Sequence, residues 1–214
     1  MPLYYHQTIN TSTQLAIWKI EESESFFLEK VPLQSTITHP HKRLQHLAGR
    51  YLLQYLFPDF PIHAIQIADT RKPFLHNEQY HFSISHCGNY AAAIVSSHQR
   101  VGVDIELERP VIAKIAYKFL HDTEQQMLQP NSSNYYTHLT ILWSAKEAIF
   151  KWWGNGEVDF SEMMHIQPFE PSNKGLLLGS FIKNNVATNF TLEYQLFNDL
   201  CLVWLATDAA LTHN

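Results

Sequence analysis

Apolar residues recur along this chain with two different periods, and the places where the period changes divide it into elements. Alternation near the start predicts strands over residues 2–6 and 14–20, joined by the polar turn Asn10-Thr11-Ser12-Thr13. Glu21 to Lys30 reads as a short helix. Pro40 stands where a first helical turn tolerates it, and Leu44, Leu47, Ala48, Tyr51, Leu52, Tyr55 and Leu56 follow at helical spacing until Pro58 ends the run. Ile62 to Ala68 reads as a strand. The alternating His81-Phe82-Ser83-Ile84-Ser85-His86 then turns through Cys87-Gly88-Asn89 into the apolar strand Tyr90 to Val95. Val101 to Glu106 is a further strand. Residues 111–120 read as helical, and a second helical turn runs from there to Pro130. The loop Asn131-Ser132-Ser133-Asn134 offers N-caps to a long helix marked by Leu139, Leu142, Trp143, Ile149, Phe150 and Trp153 and closed by Gly154-Asn155-Gly156. Strands at Met164 to Phe169, Gly175 to Ile182, Phe190 to Leu196 and Leu200 to Thr207 complete the chain.

The order of these elements repeats. A long helix, a strand and a terminal hairpin occur in residues 40–97 and again in residues 135–208, which predicts an α+β protein of two related halves, 1–100 and 101–214. Each half would set its long helix on a small, mostly antiparallel sheet. The strand Val101 to Glu106 would lie at their junction, where ligand clefts often form.

That strand carries the first candidate chemistry. A period of two puts Asp104 and Glu106 on one face and Val103 and Ile105 on the other. Carboxylates about 7 Å apart on one face repel unless water or a cation lies between them. Mg²⁺, which takes one or two carboxylates and completes its octahedron with water and phosphate, suits such a pair; two acids on a solvated strand end are the plain alternative. On the second long helix, Trp143, Glu147 and Lys151 fall on one stripe with Lys146 beside it, a pattern also common for surface ion pairs. On the first, Arg43 and Arg50 stand about 10.5 Å apart along the axis, within joint reach of one phosphate-bearing ligand, or on a solvated face.

Composition narrows the classes. An apolar fraction of 45% with 16% charged residues argues against disorder, and 214 residues allow one large or two smaller units. The longest apolar run, Leu200 to Ala206, falls far short of the roughly 20 residues of a membrane span. A net charge of −5 disfavours nucleic acid as a partner. The opening Met-Pro-Leu-Tyr-Tyr-His lacks a basic stretch followed by an apolar core, so a cytoplasmic location is expected. Cys87 and Cys201 have no metal-type spacing and are expected to be reduced thiols.

Several blocks then occur in a fixed order: Arg43/Arg50, Lys72-Pro73, Ser83-Ile84-Ser85-His86, Gly102-Val103-Asp104-Ile105-Glu106, Phe119 to Glu124, and Trp143-Ser144-Ala145-Lys146-Glu147-Ala148 with Lys151. Together they resemble the 4′-phosphopantetheinyl transferases of the surfactin-synthetase-activating (Sfp-like) type, over roughly residues 40 to 156. The resemblance implies a pseudo-twofold monomer that moves the phosphopantetheine arm of coenzyme A onto a serine of an apo acyl or peptidyl carrier protein, releasing adenosine 3′,5′-bisphosphate. It also implies that Asp104, Glu106 and Glu147 hold Mg²⁺, that Lys151 stands by the leaving phosphate, and that Arg43, Arg50, Lys72, Ser85 and His86 contact coenzyme A. Glu124 matches a family acid of secondary role, or is a plain acid of a helical turn, and carrier recognition would fall on surface loops near Lys114 and Lys118, residues that a solvated face explains equally well.

The chemistry agrees with these residue types. Phosphoryl transfer asks a protein to position groups and neutralise charge, and a serine hydroxyl needs a proton acceptor, for which Glu147 is best placed. Lys151 would offset charge on the bridging oxygen. Two departures stand out: the glycine usual before Lys-Pro is Arg71, and the residue after His86 is Cys87. A coenzyme A-binding protein without transfer, or a metal-dependent phosphodiesterase with water as nucleophile, are the other functions this inventory admits.

Overall fold

A computed structural model describes residues 2–33 and 36–208. The chain falls into two units, Met1–Gly102 with Ala206–Asn214, and Val103–Leu205.

In the first unit, β1 (Leu3–Asn10) and β2 (Thr13–Lys19) form an antiparallel hairpin, followed by the helices α1 (Glu24–Leu28) and α2 (Pro40–Leu56). Short strands β3 (Ile65–Ile67) and β4 (Pro73–Leu75) pair antiparallel with each other. The hairpin of β5 (His81–Cys87) and β6 (Tyr90–Ser96) then completes a sheet in the order β1-β2-β6-β5. Pro40 opens α2 behind His39, whose ring nitrogen accepts from the Lys42 amide. The helix buries Leu47, Ala48, Leu52, Leu53 and Leu56 against Trp18, Phe27, Phe82 and the small Ala91 and Ala93 of the sheet. At Gly49 the helix comes so close to β5 that a Cβ would stand 2.6 Å from Ile84 Cγ2. Only hydrogen fits there.

The second unit holds most of β7 (Gln99–Leu107), then α3 (Asp122–Met127), α4 (Tyr135–Trp153), α5 (Phe160–Met163), β8 (Met164–Ile166), β9 (Lys174–Lys183), β10 (Val186–Phe197) and most of β11 (Leu200–Asp208). Its sheet runs β7-β11-β10-β9-β8, with β8 to β11 antiparallel neighbours. Along α4, Leu139, Leu142, Ala145, Ile149 and Trp152 are buried, and Trp152 meets Phe190 of β10 edge-on at 4.7 Å. Gly154, at φ 78°, takes the left-handed conformation that ends the helix. Leu177 and Phe181 of β9 point inward, while Leu176, Leu178 and Ile182 are exposed on the other face.

The α+β class with antiparallel sheets is as the periodicity predicts, and several boundaries differ. Residues 111–120 are two 3₁₀ segments, Pro110–Lys114 and Ala116–Lys118, and not an α-helix. The bonds Ile112 N to Arg109 O, Ile115 N to Ile112 O and Lys118 N to Ile115 O close three-residue turns. The crowd of β-branched Val111, Ile112 and Ile115 weakens the longer helical alternative. Ile62 to Ala68 begins as a 3₁₀ turn at Ile62–Ala64 behind Pro61 and extends only from Ile65. β8 stops at Ile166, two residues before Pro168, which has no N–H to continue the ladder. Strand β4 and helix α5 were not foreseen; each is under five residues, too short to establish a period. Among the described residues no helix is long and apolar enough to cross a membrane.

Candidate active site

The chemistry-bearing residues of the second unit come together across β7 and α4. Asp104 lies in the middle of β7 and is only 2% exposed, and Lys151, in the last turns of α4, reaches it with Nζ 2.6 Å from Oδ1. Lys151 is thus the partner of a carboxylate on another element, Asp104 of β7. Glu147 is half-buried nearby. Burial pushes its carboxyl up to about 7, the charges of Asp104 and Glu106 push the same way, and Lys151 opposes them. Trp143, one turn earlier on the same stripe, donates its indole N–H to Glu106 Oε1 at 3.4 Å. Beneath them Cys201 of β11 is buried; burial raises its thiol strongly, and the charge of Asp104 adds to this. It is therefore an inert neutral thiol under the acids.

Three carboxyls and one ammonium leave negative charge in excess, which adds to the effect of burial on Glu147. That donor set, all oxygen and partly buried, fits a hard divalent cation such as Mg²⁺. The side chains are not preformed into a cage: among the described residues no three His, Cys, Asp or Glu groups stand in a metal-holding arrangement.

The basic residues of the first unit fall into separate neighbourhoods. Arg43 is bound to Glu24, with Nη2 and Nε each 2.7 Å from a carboxylate oxygen, and Nη1 donates to Ile37 O at 3.2 Å. Arg50, seven residues on, is 4% exposed, and its guanidinium and the His86 ring both act on His46. Burial, seconded by these two charges, pushes His46 down to about 4. Ser85 is buried and His86 exposed, on opposite faces of β5. Lys72 lies in a third group with Arg100 and His81. Burial, and after it the charge of Arg100, lowers its ammonium to about 8. Arg71, in the position where glycine is usual, has φ 66°, a left-handed conformation that explains why a glycine suits this turn.

One stretch of the chain, which runs from the start of β7 into β11 and contains Asp104, Glu106, Glu147 and Lys151, has recognisable relatives. Residues 100–204 match the 4′-phosphopantetheinyl transferase superfamily. Enterobactin synthase component D of Salmonella typhi is 35% identical over 113 residues, 51% of this chain and 47% of that protein. The 4′-phosphopantetheinyl transferase gsp of Aneurinibacillus migulanus is 34% identical over 113 residues, 51% of this chain and 46% of that protein. The 4′-phosphopantetheinyl transferase Sfp of Bacillus subtilis is 36% identical over 80 residues, 36% of this chain and 34% of that protein. The chain spans about half the length of the curated relatives it matches.

Within this matched segment, two buried residues form a pair that periodicity did not announce. Lys146 and Glu124 are each 0% exposed and form an ion pair at 2.5 Å. The sequence shows no sign of it, because the partners lie 22 residues apart and charged letters ordinarily mark a solvated face.

Proposed function

We propose that this protein is a 4′-phosphopantetheinyl transferase of the Sfp-like type, acting as a monomer on an apo acyl or peptidyl carrier protein. The observation that carries this reading is the meeting of Asp104, Glu106, Glu147 and Lys151 in one acid-rich site within the segment that matches the superfamily. The carrier serine Oγ attacks the β-phosphorus of coenzyme A, the pyrophosphate P–O bond breaks, and adenosine 3′,5′-bisphosphate leaves. Glu147, the acid on α4 one turn before Lys151, accepts the hydroxyl proton. Lys151 offsets charge on the departing oxygen. Asp104, Glu106 and Glu147 would hold Mg²⁺, whose charge would screen the pyrophosphate and stabilise the transition state. Arg43, Arg50, Lys72, Ser85 and His86 supply the contacts to coenzyme A, with Glu24 competing for Arg43.

Mass spectrometry of a panel of apo carrier proteins, incubated with the protein, coenzyme A and Mg²⁺, is expected to show a gain of about 340 Da on one or more of them. Glu147→Gln is expected to lower kcat by about 100-fold or more with unchanged far-ultraviolet circular dichroism. No gain on any carrier overturns the reading. Coenzyme A binding without transfer would favour the plain binding protein, and phosphopantetheine released without a carrier would mark the phosphodiesterase.

A further inference from the structure

The Glu124–Lys146 pair is fully sealed and fully bonded. Lys146 Nζ donates to Glu124 Oε2 at 2.5 Å, to Phe119 O at 2.5 Å and to Phe160 O at 3.0 Å, which uses all three of its protons. Glu124 Oε2 also accepts from the His121 amide at 2.9 Å, and Oε1 accepts from the Ile166 amide at 2.8 Å. One ion pair therefore ties α4 to the start of α3, the start of α5 and the end of β8. Stability alone does not account for it. Burying two charges costs several kcal/mol each, and apolar residues of similar volume often do as well or better. What the pair adds is direction.

The two carbonyls that Lys146 holds belong to Phe119 and Phe160. The rings of those same residues hold Trp143, one turn earlier on α4: Phe119 edge-on at 5.2 Å and Phe160 stacked at 5.7 Å. Trp143 in turn donates to Glu106 at 3.4 Å, a long bond that a small rotation of the indole would break. Glu147 follows Lys146 directly, so the rotation at which Lys146 is pinned sets the direction in which Glu147 leaves the helix.

We propose that the buried Glu124–Lys146 pair is a positioning device for the acid site, holding Phe119 and Phe160 around Trp143 and so fixing Glu106 and Glu147 in mutual register. Neither residue touches substrate. The catalytic consequence rests on the transferase reading above; the consequence for Trp143 does not.

The test uses the full chain with both charges removed, Lys146→Met with Glu124→Gln, so that no lone charge is left buried. Two readouts are taken. The first is the indole N–H resonance of Trp143 in a ¹⁵N spectrum, assigned by its loss in Trp143→Phe. It is expected to shift or broaden while the other four indoles stay in place. The second is kinetic: kcat is expected to fall about tenfold or more with KM for coenzyme A within twofold, since misplacing a catalytic group weakens the chemical step and not the binding. A folded double variant with an unmoved Trp143 resonance overturns the proposal, whatever the wild-type activity proves to be. A moved resonance with unchanged kcat also overturns it, provided the wild type transfers. If the double variant does not fold, Trp143→Phe decides: titration with Mn²⁺, followed by the ion's electron paramagnetic resonance, is expected to show at least threefold weaker binding. Unchanged Mn²⁺ binding overturns the proposal.

Discussion

His46 and Glu147 are both half-buried titratable groups, and burial moves them in opposite directions because it disfavours the charged form of each. For His46 this becomes a statement about stability. Its folded value is depressed to about 4, while an unfolded histidine titrates near 6.5. Between those values the unfolded chain binds the extra proton, so stability is complete above about pH 6.5 and is lost as the pH falls toward 4. From pH 7 to pH 5 the wild type is expected to lose about 1 kcal/mol more than His46→Leu, a figure discounted for the partial exposure of the ring. Urea unfolding at the two pH values checks this; equal losses would show that His46 is solvated. At the same scale, Asp104, Glu106, Glu147 and Lys151 were legible because the periods of strand and helix put them on common faces. The pairing of Lys146 with Glu124 was not, since it joins two helices, α3 and α4, whose mutual packing no local period describes, and neither was the Asp104 partner of Lys151.

The helix α2 shows how far element-level rules hold. An alanine in a helix interior is ordinarily more favourable than glycine by about 1 kcal/mol. At position 49 the sign is expected to reverse, because the added methyl would meet Ile84 at 2.6 Å and must displace either the helix or β5. Gly49→Ala is expected to destabilise by about 1–3 kcal/mol in chemical denaturation, and a gain in stability would show that β5 yields freely. Elements of more than seven residues with one buried face, such as α2, α4 and β9, could be read from the sequence. The stretch 111–120 differs from its helical reading because Val111, Ile112 and Ile115 imitate a helical stripe, although their branched side chains favour tighter, shorter turns. Strand β4 depends on its antiparallel match with β3, a contact that no local pattern announces.

Over the whole molecule, the division into two units does not coincide with the ends of elements: it falls at Gly102–Val103 inside β7 and at Leu205–Ala206 inside β11. The sheet β1-β2-β6-β5 and its core with α1 and α2 nonetheless lie wholly within the first 98 residues. A fragment of residues 1–98 is expected to unfold cooperatively by circular dichroism with a stability of a few kcal/mol, as domains of that size do. A broad, non-cooperative melt would show that this core needs the rest of the chain. The unbroken course of β7 also limits how the protein can change over generations. Its residues face alternate sides, so inserting one residue ahead of Asp104 would hand the places of the two carboxylates to Val103 and Ile105, and deleting one would hand them to Ile105 and Leu107. Length variation at this seam is tolerable only in even steps.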